Sequence, residues 1–101
     1  MIHVIAQIAL TTNSRKDFLV EFNHLVPEVM AEAGCIEYAA AVDASTDLER
    51  QHRDPDRVTI IEKWETLEHL QAHLNAPHML TYRERVGDMI SHVQLNILDP
   101  A

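Results

Sequence analysis

Apolar residues recur with two different periods along the chain, and the switches between them mark the elements. From Ile2 to Leu10 the period is two: Ile2, Val4, Ala6, Ile8 and Leu10 share one face, His3, Ile5, Gln7 and Ala9 the other. That alternation predicts a strand. Thr11-Thr12-Asn13-Ser14 offers a turn with several possible helix caps, and the period then lengthens. Phe18, Phe22, Leu25, Val26, Val29 and Met30 form a helical stripe, with Arg15, Lys16, Glu21 and Glu28 largely off it. The helix should run to about Ala33, with Gly34 as the residue that ends it. Pro27 lies inside this stretch and removes one backbone donor, so a kink or a new segment is expected there.

Period two returns from Cys35 to Val42, where Ile36, Tyr38, Ala40 and Val42 fall on one side. A polar stretch from Asp43 to Arg57 is long for a hairpin connection. Val58 to Trp64 is rich in β-branched residues and reads as a third strand. At Thr66, a suitable N-cap, the period changes again, to Leu67, Leu70 and Leu74. Asn75-Ala76-Pro77 breaks that helix, and Pro77 suits the first position of another, which Gly87 should end. Ser91 to Leu98 closes the chain as a strand, with Val93, Leu95 and Ile97 opposite His92, Gln94 and Asn96.

The order β-α-β-β-α-α-β predicts an α+β fold of ferredoxin-like split-βαβ type: one four-stranded antiparallel sheet with helices on one face. Residues 1–101 form a single domain in this reading. The most apolar face of each strand should meet the helices. The opposite face, with His3, Ile5, Gln7, Ala9, Glu37, Ala39, Ala41 and Gln94, is more apolar than a sheet face open to water. A homodimer in which a second subunit covers it is therefore expected.

Charge and composition narrow the function classes. The formal net charge of −8 opposes binding to nucleic acid or to an anionic membrane. The single cysteine, Cys35, has no internal partner, which suits a reducing compartment. Nothing at the start resembles a secretion signal and no stretch approaches a membrane span, so a cytoplasmic location is expected. Only two glycines are present, which excludes a glycine-rich phosphate cradle for a nucleotide.

Candidate chemistry concentrates between Val58 and Tyr82, which carries the only Trp and three of the seven His. His69 and His73, four apart on a helix, have the spacing of a metal pair. They lack the adjacent glutamate of a metalloprotease helix and a full ligand set, so a solvated His69 is expected and no metal site is assigned. His73 and His78 bracket the helix break. They could satisfy backbone groups at the helix ends, or one imidazole could point into a pocket and exchange a proton near neutral pH. Trp64, at a strand end, suits the core as well as a ligand platform. Tyr38 and Tyr82 could each present a hydroxyl to an apolar cavity, and Cys35 has no neighbour in sequence to activate it.

Two segments carry a family resemblance: LVPEVMAEAGCIEYAAAVD (25–43) and IIEKWETLEHLQAHLNAPHMLTY (60–82). With the opening IHVIAQI and the closing LNILDP they resemble the antibiotic-biosynthesis monooxygenase family, and within it the small bacterial quinol monooxygenases. The specific core is Glu62-x-Trp64-Glu65-Thr66-x-x-His69-Leu70-x-Ala72-His73-Leu74-x-Ala76-Pro77-His78. The resemblance implies a dimeric α+β barrel with an apolar pocket between sheet and helices. It also implies oxygenation of a quinol or related electron-rich phenolic aromatic by molecular oxygen, with no flavin, haem or metal. Trp64 matches the family tryptophan that lies in the substrate cleft of polyketide-oxidising relatives. Their Asn four residues earlier and Tyr six later are here Ile60 and Leu70, which argues against the same substrate. Haem-degrading relatives use an Asn on the first strand, where this chain has Gln7 and Ile8, so haem breakdown is disfavoured. A non-catalytic module that binds a small aromatic stands as the alternative.

The resemblance and the residues together give a site expectation. A quinol reacts with oxygen more readily once ionised, so a proton acceptor beside an apolar cavity is required. His73 and His78 are the candidate bases. His73 is favoured because it should share a helix side with Leu70 and Leu74. Trp64, Tyr38, Tyr82 and Met79 are the candidates for bounding the ring.

Overall fold

The computed structural model describes residues 1–101 and contains the expected elements: β1 (Ile2–Leu10), α1 (Arg15–Met30), β2 (Cys35–Ala41), β3 (Arg57–Trp64), α2 (Leu67–Leu74), α3 (Pro77–Val86) and β4 (Ile90–Leu98). A short 3-10 turn, Gly87–Met89, joins α3 to β4. The sheet order is β2-β3-β1-β4, with every neighbouring pair antiparallel. This is the α+β, ferredoxin-like arrangement.

Register explains the core. Val4, Ala6, Ile8 and Leu10 on β1 lie on the same side as Val58, Ile60 and Trp64 on β3, and all are buried. From α1, Phe18, Phe22, Leu25 and Val29 close on them, a spacing that holds one helical side. Leu70, Met79 and Val86 complete the layer. Fully burying a side chain of this size contributes roughly 1.5–3 kcal/mol. α1 packs over β2 and α3, and α2 over β3.

Four expectations need adjustment. α1 stops at Met30 rather than near Ala33, and Pro27 stands inside it without ending it. Its carbonyl still accepts from Ala31 N–H at 3.2 Å, so only the donor side of one turn is lost. Ile36 does not share a face with Tyr38. The register shifts between Cys35 and Glu37, and this bulge leaves Ile36 exposed while Tyr38 is buried. Val42 lies just beyond β2 and is exposed. Finally, the apolar side of β4 is not covered. Val93, Leu95 and Ile97 pair with the buried Ile8, Ala6 and Val4, yet remain 45–49% exposed. β4 is an edge strand, and the helices lie over β2, β3 and each other.

Candidate functional site

The corner between α2 and α3 is built locally. Thr66 Oγ1 accepts the N–H of His69 at 3.2 Å and so caps α2, as its position suggested. Pro77 opens α3 after Ala76, and Arg83 reaches back to the carbonyl of Leu74 at 2.9 Å. His73 thus lies near the end of one helix and His78 near the start of the next. Neither spends its ring on the backbone.

Both imidazoles meet a residue far away in sequence. Glu32, in the turn between α1 and β2, accepts from His73 Nδ1 at 2.8 Å and from His78 Nε2 at 2.8 Å, through the same oxygen, Oε2. A carboxylate can only accept, so each of those nitrogens carries the proton when the rings are neutral. The lone pairs then lie on His73 Nε2 and His78 Nδ1. His73 is 1% exposed, as the inward orientation required, whereas a quarter of the His78 side chain is open. The expected company of Leu74 fails: it is over a third exposed, and Leu70 alone shares the buried side.

Rings hold His73 in place. Its centroid is 4.7 Å from Trp64 and 5.4 Å from Tyr38, the latter edge-on. Tyr38 stacks on Phe22 at 5.1 Å, and Tyr82 meets Phe18 and Phe22 edge-on. A second carboxylate is buried here. Glu62, on the core side of β3, is 7% exposed and accepts the indole N–H of Trp64 at 2.9 Å. Burial raises its carboxyl above the ordinary carboxylate range, and the Trp64 hydrogen bond only partly opposes this. Burial, reinforced by the charge of Glu62, likewise holds the hydroxyls of Tyr38 and Tyr82 well above the usual tyrosine range.

A cleft of about 440 Å³ opens between α1 and α3 beside this cluster. Val20, Leu25 and Tyr82 give it apolar surface, and Glu21, His24, Glu28, His78, Thr81 and Arg85 complete the wall. Of the six sequence-derived site residues, His78 and Tyr82 border the cleft. His73, Trp64, Tyr38 and Met79 are packed into the core and do not line the opening.

Two acidic residues were missed by sequence reasoning. Glu62 left a signal: it occupies an inward position of a strand that otherwise reads Val58, Ile60, Trp64 on that side. Glu32 left none, because its partners are 41 and 46 residues away. His69 stands apart from the cluster; its Nδ1 meets Thr66 Oγ1 at 2.8 Å.

Residues 1–85 match the antibiotic biosynthesis monooxygenase family, and the chain belongs to it. Among relatives, it is 38% identical to "Probable quinol monooxygenase YgiN" of Escherichia coli K12, over 99% of this chain and 98% of that one. Solved structures agree on the fold. PA3566 from Pseudomonas aeruginosa superposes with a TM-score of 0.82 at 24% identity, covering 99% of this chain and 93% of that one. Rv0793 from Mycobacterium tuberculosis gives 0.81 at 24%, covering 99% and 94%. No helix is long and apolar enough to cross a membrane.

Proposed function

We propose that this chain oxidises a quinol, or a related electron-rich phenol, with molecular oxygen and without a redox cofactor. Family membership supports a monooxygenase, and the relative from E. coli bears the quinol name. The observation that carries the reading is the clasp of two imidazoles by one carboxylate, with one of them at the mouth of a cleft.

The quinol ring rests against Leu25 and Tyr82, and a phenolic hydroxyl faces His78 Nδ1. His78 takes the phenolic proton, and Glu32 stabilises the imidazolium so formed. His73, fixed behind by Trp64 and Tyr38, holds the carboxylate in place. The expected preference for His73 as the contacting base therefore passes to His78, because burial separates His73 from the cleft. The quinolate then gives electrons to oxygen. One oxygen atom ends as a hydroxyl on a ring carbon and the other leaves as water, taking the two phenolic hydrogens. The product is a hydroxyquinone, and the quinol supplies all four electrons, so no external reductant is needed.

Oxygen uptake with a reduced naphthoquinol, corrected for autoxidation, tests this. The wild-type rate should exceed the background, and His78→Ala should lower it by roughly 10²–10⁴-fold, the usual contribution of a general base. Ring binding without uptake above autoxidation would instead mark a binding module.

A further inference from the structure

The geometry points to a divalent transition-metal site formed by Glu32 Oε2, His73 Nδ1 and His78 Nε2. These three atoms lie within 4.8 Å of one another, and both nitrogens are 2.8 Å from the oxygen. Metal–nitrogen and metal–oxygen bonds of about 2.0–2.2 Å place neighbouring ligand atoms about 3.0–3.4 Å apart in octahedral or tetrahedral geometry. An ion therefore needs each nitrogen to separate from the oxygen by only a few tenths of an ångström, while the two nitrogens, which lie within 4.8 Å of each other, must settle at that same spacing.

Three features suit an ion better than they suit a solvated surface cluster. The donors come from a turn and two separate helices, which converge only in the folded chain. His73 is locked by Trp64 and Tyr38, so its nitrogen is held in place before any ion arrives. His78 opens to the cleft, where Glu28 adds negative charge beside the Glu21–Arg85 ion pair and the open side leaves coordination positions for water. Two imidazoles and one carboxylate form a borderline donor set, which selects zinc, copper, cobalt or nickel over magnesium and calcium.

Binding replaces the two N–H protons that now hold Glu32, so proton and metal exclude one another on these atoms. The ion has no part in the electron balance given above, and its binding does not rest on the quinol reading.

The 101-residue chain, stripped with a chelator and dialysed, would be titrated with Zn2+ by calorimetry and with Cu2+ by fluorescence. One Zn2+ per chain is expected. One Cu2+ per chain should quench the only tryptophan strongly, because Trp64 touches the His73 ring. His78→Ala and Glu32→Gln, each checked for unchanged circular dichroism, should weaken Zn2+ by at least about tenfold, the least that metal-site changes commonly cost. His73→Ala is avoided because it empties a core position. His24→Ala, on the cleft wall only, should bind as wild type. Absence of stoichiometric uptake overturns the assignment, and so does uptake that survives both His78→Ala and Glu32→Gln unchanged. Neither readout uses oxygen consumption, so failure here leaves the proposed oxidation standing, and the reverse.

Discussion

Trp64 donates its indole N–H to Oε1 of Glu62, two residues earlier on the same side of β3, at 2.9 Å inside the core. The bond satisfies the indole, but it leaves a carboxylate buried among rings. A folded-state pKa raised by burial means that the ionised form destabilises the fold above that pKa, and that the penalty fades as pH falls through it. Glu62→Gln keeps a carbonyl oxygen for Trp64 and removes the charge. It should therefore stabilise the protein at neutral pH by on the order of 1 kcal/mol. Thermal melts should show the gain at pH 7 and its loss at about pH 4, where a carboxyl is protonated anyway. A lower melting temperature at pH 7 would contradict the account.

Gly34 has φ of +80°, and a Cβ placed there would run into the ring and Cβ of His69. Gly34→Ala should cost about 1–2 kcal/mol from the left-handed backbone alone, with the clash adding to it. Adding His69→Ala to that variant should recover the part due to the imidazole ring and leave the part due to the backbone and the remaining Cβ contact. Denaturant unfolding of both variants separates the two contributions.

The Cys35 thiol is pushed up to about 11, first by burial and then by the nearby charges of Glu32 and Glu62. At pH 8 its thiolate fraction should be about a hundredfold below that of an ordinary cysteine, and alkylation correspondingly slow. The alkylation rate should keep rising with pH until about 11. A plateau near pH 9 would show an unperturbed thiol.

Val93, Leu95 and Ile97 are in register with the buried Ile8, Ala6 and Val4, yet half exposed. The homodimer expected from the opposite sheet face, that of His3, Ile5 and Ala9, would bury on the order of 2,000 Å² in total, and the uncovered side of β4 gives a second copy a further apolar surface to take. Sedimentation equilibrium should give twice the chain mass at micromolar concentration, and Leu95→Asp should shift it toward one chain. A wild-type protein that stays at single-chain mass rules the homodimer out.

Much of the fold was already legible in the alternation of apolar residues, because strand and helix periods are properties of the local backbone. The same local rules located the Thr66 cap, the Pro77 start of α3 and the inward turn of His73. They do not reach across the chain. Glu32 meets its two histidines only because α1, α2 and α3 converge, and its neighbours Ala31 and Ala33 carry no hint of that. The bulge at Ile36 sets Cys35 and Tyr38, three residues apart, opposite the inward-facing Trp64 and Glu62, a break of phase that the apolar pattern does not show. Periodicity shows that β4 has an apolar side, but not that its edge position lies beyond the reach of the helices. Which candidate residues face a cleft and which fill the core is likewise a matter of packing. Trp64 and Tyr38 are held by rings from other elements and Met79 is buried in the core, and of the candidates only His78 and Tyr82 are left at the cleft wall.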